Sequence, residues 1–236
     1  FLGALEGRVV PANWRGAMPI TYHVGGTDAA KAHLVVKSEW SLKTAYNVVA
    51  KMEGSQYPDQ WVMRGNHHDG WVFGASDPIS GHIAMVAEAK AIGELARTGW
   101  RPKRTLVYLS WDAEEPMLLG STEWVETHAA ELKQKGLIYI NTDGNGRGFL
   151  GADGNHSLQN FVAKVAADVK DPQTGVSVDQ RRRAEAMVSG AAGGASERAK
   201  AVAKAAGDGK DIPLDPLGSG SDYSSFVQHL GVASLN

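Results

Sequence analysis

The chain has no cysteine, no long apolar run and no excess of basic charge. Each absence removes a class of chemistry. Without cysteine there are no disulfides, no thiolate-ligated zinc or iron–sulfur clusters and no thiol nucleophile; the compartment stays open, because large secreted domains also manage without cysteine. No apolar stretch approaches the roughly 18 residues needed to span a bilayer. Lys and Arg total 24 against 26 Asp and Glu, a net charge of −2, which speaks against a nucleic-acid or acidic-membrane partner. The single basic run, Arg181-Arg182-Arg183, reads as a solvated helix end. The opening Phe-Leu-Gly-Ala-Leu-Glu-Gly-Arg has no basic start followed by an apolar stretch, so it is not read as a signal peptide but as an entry into the middle of a chain. There is no internal repeat.

What is present is a chain of 236 residues, long enough for a core that needs no covalent staples. Residues 1–26 are rich in turn formers. Strand character follows at Leu34–Trp40, Ala45–Met52 and Gln60–His67, with turns that suit antiparallel neighbours. From Ser80 to Thr98 the apolar period becomes helical and ends at Gly99 and Pro102. Strand (Thr105–Trp111), helix (Ser121–Lys135), strand (Leu137–Asn141) and helix (Ser157–Lys170) then alternate. Crossovers of that length imply an α/β fold with a mixed, mainly parallel central sheet flanked by helices. Ala184–Lys210 has almost no large apolar residue and reads as a mobile excursion of helical propensity. A loop Leu217–Asp222, a short helix to His229 and a strand Val232–Leu235 close the chain.

In open α/β sheets, ligands gather at the carboxyl ends of strands. Here those ends carry Asn66-His67-His68-Asp69, Asp112-Ala113-Glu114-Glu115 and Asn141-Thr142-Asp143, with Asp77-Pro78 in the first following loop. Acids so gathered repel one another unless a cation sits among them, and mixed imidazole and carboxylate donors suit zinc. Along an extended chain His67 and Asp69 face one way and His68 the other. Asp69 behind His67 would be a carboxylate–histidine–metal arrangement. Adjacent Glu114 and Glu115 cannot both face one metal equally, so one reads as ligand and the other as proton shuttle, serving a two-metal site that activates a bridging water. His23, His33, His82, His128, His156 and His229 have no carboxylate at ligand spacing and read as surface or helix-end residues.

Four segments in order, Gly65–Gly81, Ser110–Trp124, Tyr139–Asp143 and Leu217–Asp222, resemble the glutamate carboxypeptidase and transferrin-receptor-like branch of the zinc aminopeptidase (two-zinc exopeptidase) superfamily, with its phosphorylase/hydrolase-like fold. The resemblance runs from about Trp14 to Asn236 and is weakest over Ala184–Lys210. It implies His67 and Asp143 on one zinc, Glu115 on the other, Asp77 bridging both, a cis peptide between Asp77 and Pro78, Glu114 as general base and Asp69 as orienter of His67. It further implies that Ser219, Gly220 and Ser221 line the substrate pocket and that Glu123 and Glu126 match positions which hold calcium in some relatives, although the other calcium ligands would lie upstream and the two read first as ordinary helix-surface residues. Family members specific for glutamate carry Asn where Ser221 stands, and Met117 replaces a usual Gly after the Glu pair. The second zinc's histidine is expected beyond Asn236.

The resemblance divides the chain into 1–26, a remnant of or link from an upstream protease-associated domain, and 27–236, a peptidase core truncated at its C-terminal end. A following helical domain would make a homodimer. The fragment as given is expected to be inactive. The implied activity is hydrolysis of a small peptide next to a free terminus, in an extracytoplasmic setting. The alternatives are a non-catalytic transferrin-receptor-like binding protein that keeps the fold, and a one-metal relative such as a glutaminyl cyclase. Retention of the visible ligands and of Glu114 favours the enzyme.

Overall fold

The computed structural model describes residues 1–26 and 30–236. The chain divides into two units, Phe1–Lys43 and Thr44–Asn236. The expected boundary at 26/27 abuts residues 27–29, which lie outside the described residues. In the first unit, strands β1 (Arg8–Val9) and β2 (His23–Val24) pair antiparallel, and the His23 ring is 2.9 Å from the Gly7 carbonyl.

The strand expected at Leu34–Trp40 does not form. The segment has no regular structure, and Leu34, Val35 and Val36 are 83%, 64% and 71% exposed. Two adjacent valines favour extended backbone, but a strand is stable only where a neighbour takes its hydrogen bonds and buries one face. No described strand does so here.

The second unit holds a five-stranded sheet in the order β3-β5-β4-β6-β7. Its strands are β3 (Val48–Met52), β4 (Tyr57–His67), β5 (Arg104–Trp111), β6 (Gly136–Asn141) and β7 (Ser234–Leu235). The sheet is mixed and mainly parallel: β4 pairs parallel with both β5 and β6, and β7 pairs parallel with β6. Only β3 runs antiparallel, and its partner is β5. The expectation that the first strands are hairpin neighbours is thereby corrected. The centre of the sheet goes to β4, whose second half is buried on both faces, as a central parallel strand requires.

Helix α1 (Ile79–Arg97) crosses from β4 to β5; α2 (Leu119–Thr127) and α3 (Ala129–Lys135) cross from β5 to β6. The single helix expected at Ser121–Lys135 is thus two, meeting at His128, whose ring lies 2.8 Å from the Trp124 carbonyl. The main core lies between the sheet, α2, α3 and the segment around Phe226: Trp61, Met63, Val107, Leu109, Trp111, Val125, Leu132, Tyr139, Tyr223, Phe226 and Val232. The Tyr139 and Phe226 rings stack at 3.9 Å. Gly65 on β4 permits this packing, because a Cβ there would strike the Tyr139 hydroxyl and ring.

After β6, α4 (Gln159–Asp168) leads to α5 (Val178–Ala191) and α6 (Glu197–Gly207), which pack against each other. The supposed excursion at Ala184–Lys210 is therefore a helical pair with its own small core of Ala186, Ala206 and Ile212. Small side chains let the helices approach closely: a Cβ on Gly190 would collide with that of Ala203. A capping box joining Ser177 and Gln180 starts α5, and Ser196 caps α6. Residues Ser225–Leu230 form a π-helical turn ahead of β7.

Candidate metal centre

Strand geometry brings the predicted residues together. In register, β4 ends at His67 beside Trp111 of β5, while Gly65 pairs with Asn141 of β6. The three loops carrying Asp69, Glu114–Glu115 and Asp143 therefore leave the sheet at one edge. His67 is 1% exposed. Its Nε2 lies 3.2 Å from Asp77 Oδ1, 3.7 Å from Glu114 Oε2 and 3.8 Å from Asp143 Oδ1. Its Nδ1 lies 3.0 Å from the Asp69 carbonyl and 3.3 Å from Asp69 Oδ1. His68 turns the other way and reaches Ser110 Oγ at 2.7 Å, as strand alternation requires. The Asp77–Pro78 peptide is cis, as expected.

Asp69 does more than orient an imidazole. Its Oδ1 accepts the Glu114 amide at 3.0 Å and its Oδ2 the Glu115 amide at 3.2 Å. One carboxylate thus pins the loop that presents both glutamates. Asn47 and Asp112 support the same loop: Asn47 Nδ2 donates to the Gly120 carbonyl at 2.8 Å, Asn47 Oδ1 accepts the Asp112 amide at 3.1 Å, and Asp112 Oδ1 accepts the Ala113 amide at 2.8 Å. The loop has unfavourable backbone geometry that these bonds hold in place. Ala113, Met117 and Leu118 all have positive φ, 57°, 89° and 59°, conformations that cost residues with a Cβ of order 1 kcal/mol each.

Not every predicted residue joins the cluster. Glu115 Oε1 accepts the Trp71 amide at 2.7 Å, so this side chain faces the neighbouring loop. Ser219 and Gly220 are exposed, whereas Ser221 is 2% exposed, its Oγ 2.9 Å from Asn141 Nδ2. Glu123 and Glu126 are exposed on α2. Among the described residues, no group of three or more His, Asp or Glu stands at the spacing needed to hold a metal ion.

Burial and charge act together here. Burial pushes the His67 imidazolium down, but the charges of Glu114, Asp143, Asp222 and Asp69 outweigh it, and its pKa stands above the ordinary value. Burial pushes the Glu114 carboxyl up to about 7; His67 opposes this, while Asp143, Glu115 and Asp69 reinforce it. Asp222 is likewise pushed up to about 7, first by burial. A divalent cation among these groups would supply the missing positive charge and reverse that repulsion.

Beneath the cluster runs a buried polar chain that sequence reading missed. Trp111 Nε1 donates to the Tyr139 hydroxyl at 3.0 Å, which donates to Asn141 Oδ1 at 3.0 Å. That bond fixes the Asn141 amide so that Nδ2 faces Asp143 Oδ1 at 2.9 Å. Asn66 Nδ2 donates to the Thr142 carbonyl. The available signal was positional: Asn141 is the last, buried residue of β6, and Asn66 is the buried residue just before His67 at the end of β4.

A cavity of about 460 Å³ opens at Asp143, walled by Thr142, Asn145, Phe149 and Asn236. An apolar cavity of about 410 Å³ beside Ile140, Phe161, Val165 and Leu235 contains none of the clustered titratable groups; chemistry rather than enclosure selects the first.

The family profile "Peptidase family M28" matches residues 47–236. The chain belongs to peptidase family M28. It is 36% identical over 193 residues to a probable glutamate carboxypeptidase of Arabidopsis thaliana, covering 80% of this chain and 25% of that protein. It is 32% identical over 246 residues to the mouse aminopeptidase NAALADL1, covering 98% of this chain and 31% of that protein. Among solved structures it is similar to a Peptidase M28 precursor from Shewanella amazonensis, with 26% identity and a TM-score of 0.51 over 80% of this chain and 35% of that one. The M28 chain thus spans between a quarter and a third of the curated relatives named here. Among its described residues no helix is long and apolar enough to cross a membrane.

Proposed function

We propose that this M28 chain carries the catalytic centre of a zinc-dependent exopeptidase that hydrolyses small peptides next to a free terminus. The observation that supports it most is the surround of His67: Nδ1 held by Asp69, and Nε2 facing Asp77, Glu114 and Asp143 at 3.2–3.8 Å. Two donors bonded at about 2.1 Å to a tetrahedral zinc stand roughly 3.4 Å apart, so these separations suit ligands of one ion. The fit is one of donor chemistry and pairwise spacing, not of a closed cage.

His67, Asp143 and Asp77 would hold one ion; Glu115, bonded here to the Trp71 amide, would have to turn from it to share a second with Asp77. A metal held there would supply Lewis-acid polarisation of the scissile carbonyl and lower the pKa of the attacking water. Glu114 is the general base: its carboxylate takes a proton from the attacking water and returns it to the leaving amine as the C–N bond breaks. Burial in a ring of acids suits it to this exchange by raising its proton affinity. Asp69 holds His67 by Nδ1, so that Nε2 offers its lone pair to the cluster, and keeps Glu114 in place through the main chain.

The test uses the full-length protein. Metal analysis should find zinc, and a dipeptide panel blocked at one end or the other should reveal which terminus must be free. Glu114→Gln should retain metal while turnover falls roughly 10²- to 10⁴-fold; Glu115→Gln should lower metal content. An unchanged turnover in Glu114→Gln, or a metal-free active enzyme, refutes the assignment.

A further inference from the structure

One carboxylate at this site has no role in the chemistry above. Asp222 is 0% exposed, and neither of its carboxylate oxygens has a hydrogen-bond partner among the described residues. The Ser121 hydroxyl is near enough to hold the Asp222 carboxyl down in part against burial, but the hydrogen bond it forms is to the Leu118 carbonyl, 3.2 Å away. Asp222 is anchored by its main chain, whose carbonyl accepts the Ser225 hydroxyl at 2.9 Å. The preceding residue, Ser221, meets Asn141 Nδ2, which also meets Asp143 Oδ1. The charge of Asp222 reaches His67 and Tyr139, so it lies beside the acid cluster rather than elsewhere in the core.

A buried carboxylate is normally paired or multiply hydrogen-bonded, because an uncompensated one costs several kcal/mol. Asp222 is neither, and the protein without metal offers it only His67, already shared among four other carboxylates. A structural residue would be expected to earn hydrogen bonds. A residue whose partner is a cation bound by its neighbours needs none.

We propose that Asp222 is a positioning residue of the metal centre: a buried, unpartnered carboxylate whose charge favours a cation held by His67 and Asp143, at the expense of the stability of the metal-free protein. The idea rests on the metal-centre reading and adds a residue outside the ligand set. Asp222 acts at a distance, through the field at the ligands and through its neighbour Ser221, whose Oγ accepts from Asn141 Nδ2.

The test is the isosteric substitution Asp222→Asn in the full-length protein, read in two ways. Zinc affinity, measured by competition with a chromophoric chelator on metal-stripped protein, should fall about 10- to 100-fold, the range for residues behind a ligand shell. The thermal midpoint of the same metal-stripped protein should stay level or rise, because a costly buried charge has gone. Asp222→Ser, smaller and equally uncharged, should repeat both results. If both variants lower the metal-free midpoint or fail to fold, the carboxylate is structural and the proposal falls. Wild-type binding with unchanged affinity in the variants overturns the proposal alone; no zinc uptake by the wild type overturns the metal-centre reading, and this proposal with it.

Discussion

Replacing Asp69 by Asn keeps the shape of the side chain and exchanges one acceptor oxygen for a donor. In the wild type, Oδ1 and Oδ2 each accept a backbone amide of the Glu114–Glu115 loop, at 3.0 and 3.2 Å. Asn can accept only one, and its NH₂ must then face the other N–H, donor against donor. Hydrogen bonds to a charged group contribute about 1.5–3 kcal/mol, and a stranded donor costs roughly 1–3 kcal/mol. The Asp69 side chain is 21% exposed, so water relieves part of this, and a net loss of about 2 kcal/mol follows. For a unit of this size that lowers the thermal midpoint by roughly 4–8 °C. His67 should be disturbed less, because its Nδ1 is also 3.0 Å from the Asp69 main-chain carbonyl, which the substitution leaves in place. Asp69→Asn should therefore cut turnover, through a displaced Glu114, more than it weakens zinc binding. The assays are calorimetry on metal-stripped protein, chelator competition, and kcat on the best peptide. A midpoint within about 1 °C of wild type would refute the loop-clamp argument. So would a loss of metal affinity larger than the loss of kcat.

Gly65→Ala should destabilise by about 1–3 kcal/mol by forcing a methyl into the Tyr139 ring and hydroxyl; a variant that unfolds in denaturant as wild type does would contradict the packing described. Ser177→Ala removes the capping box of α5 and should cost about 0.5–2 kcal/mol, seen as faster amide exchange in α5 and α6. The Arg181 guanidinium, 2.6 Å from Asp171, holds that carboxyl below its ordinary pKa, aided by Thr174 and Gln173. Because the folded value lies below the unfolded one, this contribution is fully present above about pH 4 and is lost as pH falls through the folded value. Arg181→Gln should flatten the acid limb of the stability curve there and leave its slope near neutrality unchanged.

The chain's chemistry was legible because it sits where chain order and strand alternation alone determine position. His67 ends a strand and Asp69, Glu114 and Asp143 each follow one closely, and period-two geometry places His67 and His68 on opposite sides whatever the fold around them. Repulsion among carboxylates then argues for a cation from composition and spacing. The crossover helices were equally local: their lengths and apolar periods stand in the sequence, and parallel strands follow from them.

What the sequence could not decide is what meets what across long separations. Val35 and Val36 have the propensity of a strand but pair with no strand among the described residues. Val48–Met52 has a partner, β5, more than 50 residues on rather than the next strand, because the buried centre of the sheet belongs to β4. Ala184–Lys210 looked too poor in large side chains to pack, yet small residues suffice when two helices can close upon each other. Asp222, Asn141 and Asn47 look unremarkable in the chain; their roles arise only when the fold sets 47 against the 112–120 loop and 141 beside 143 and 221. Local periodicity is written in neighbouring residues, whereas burial of a charge and the hydrogen bonds it lacks are properties of the assembled core.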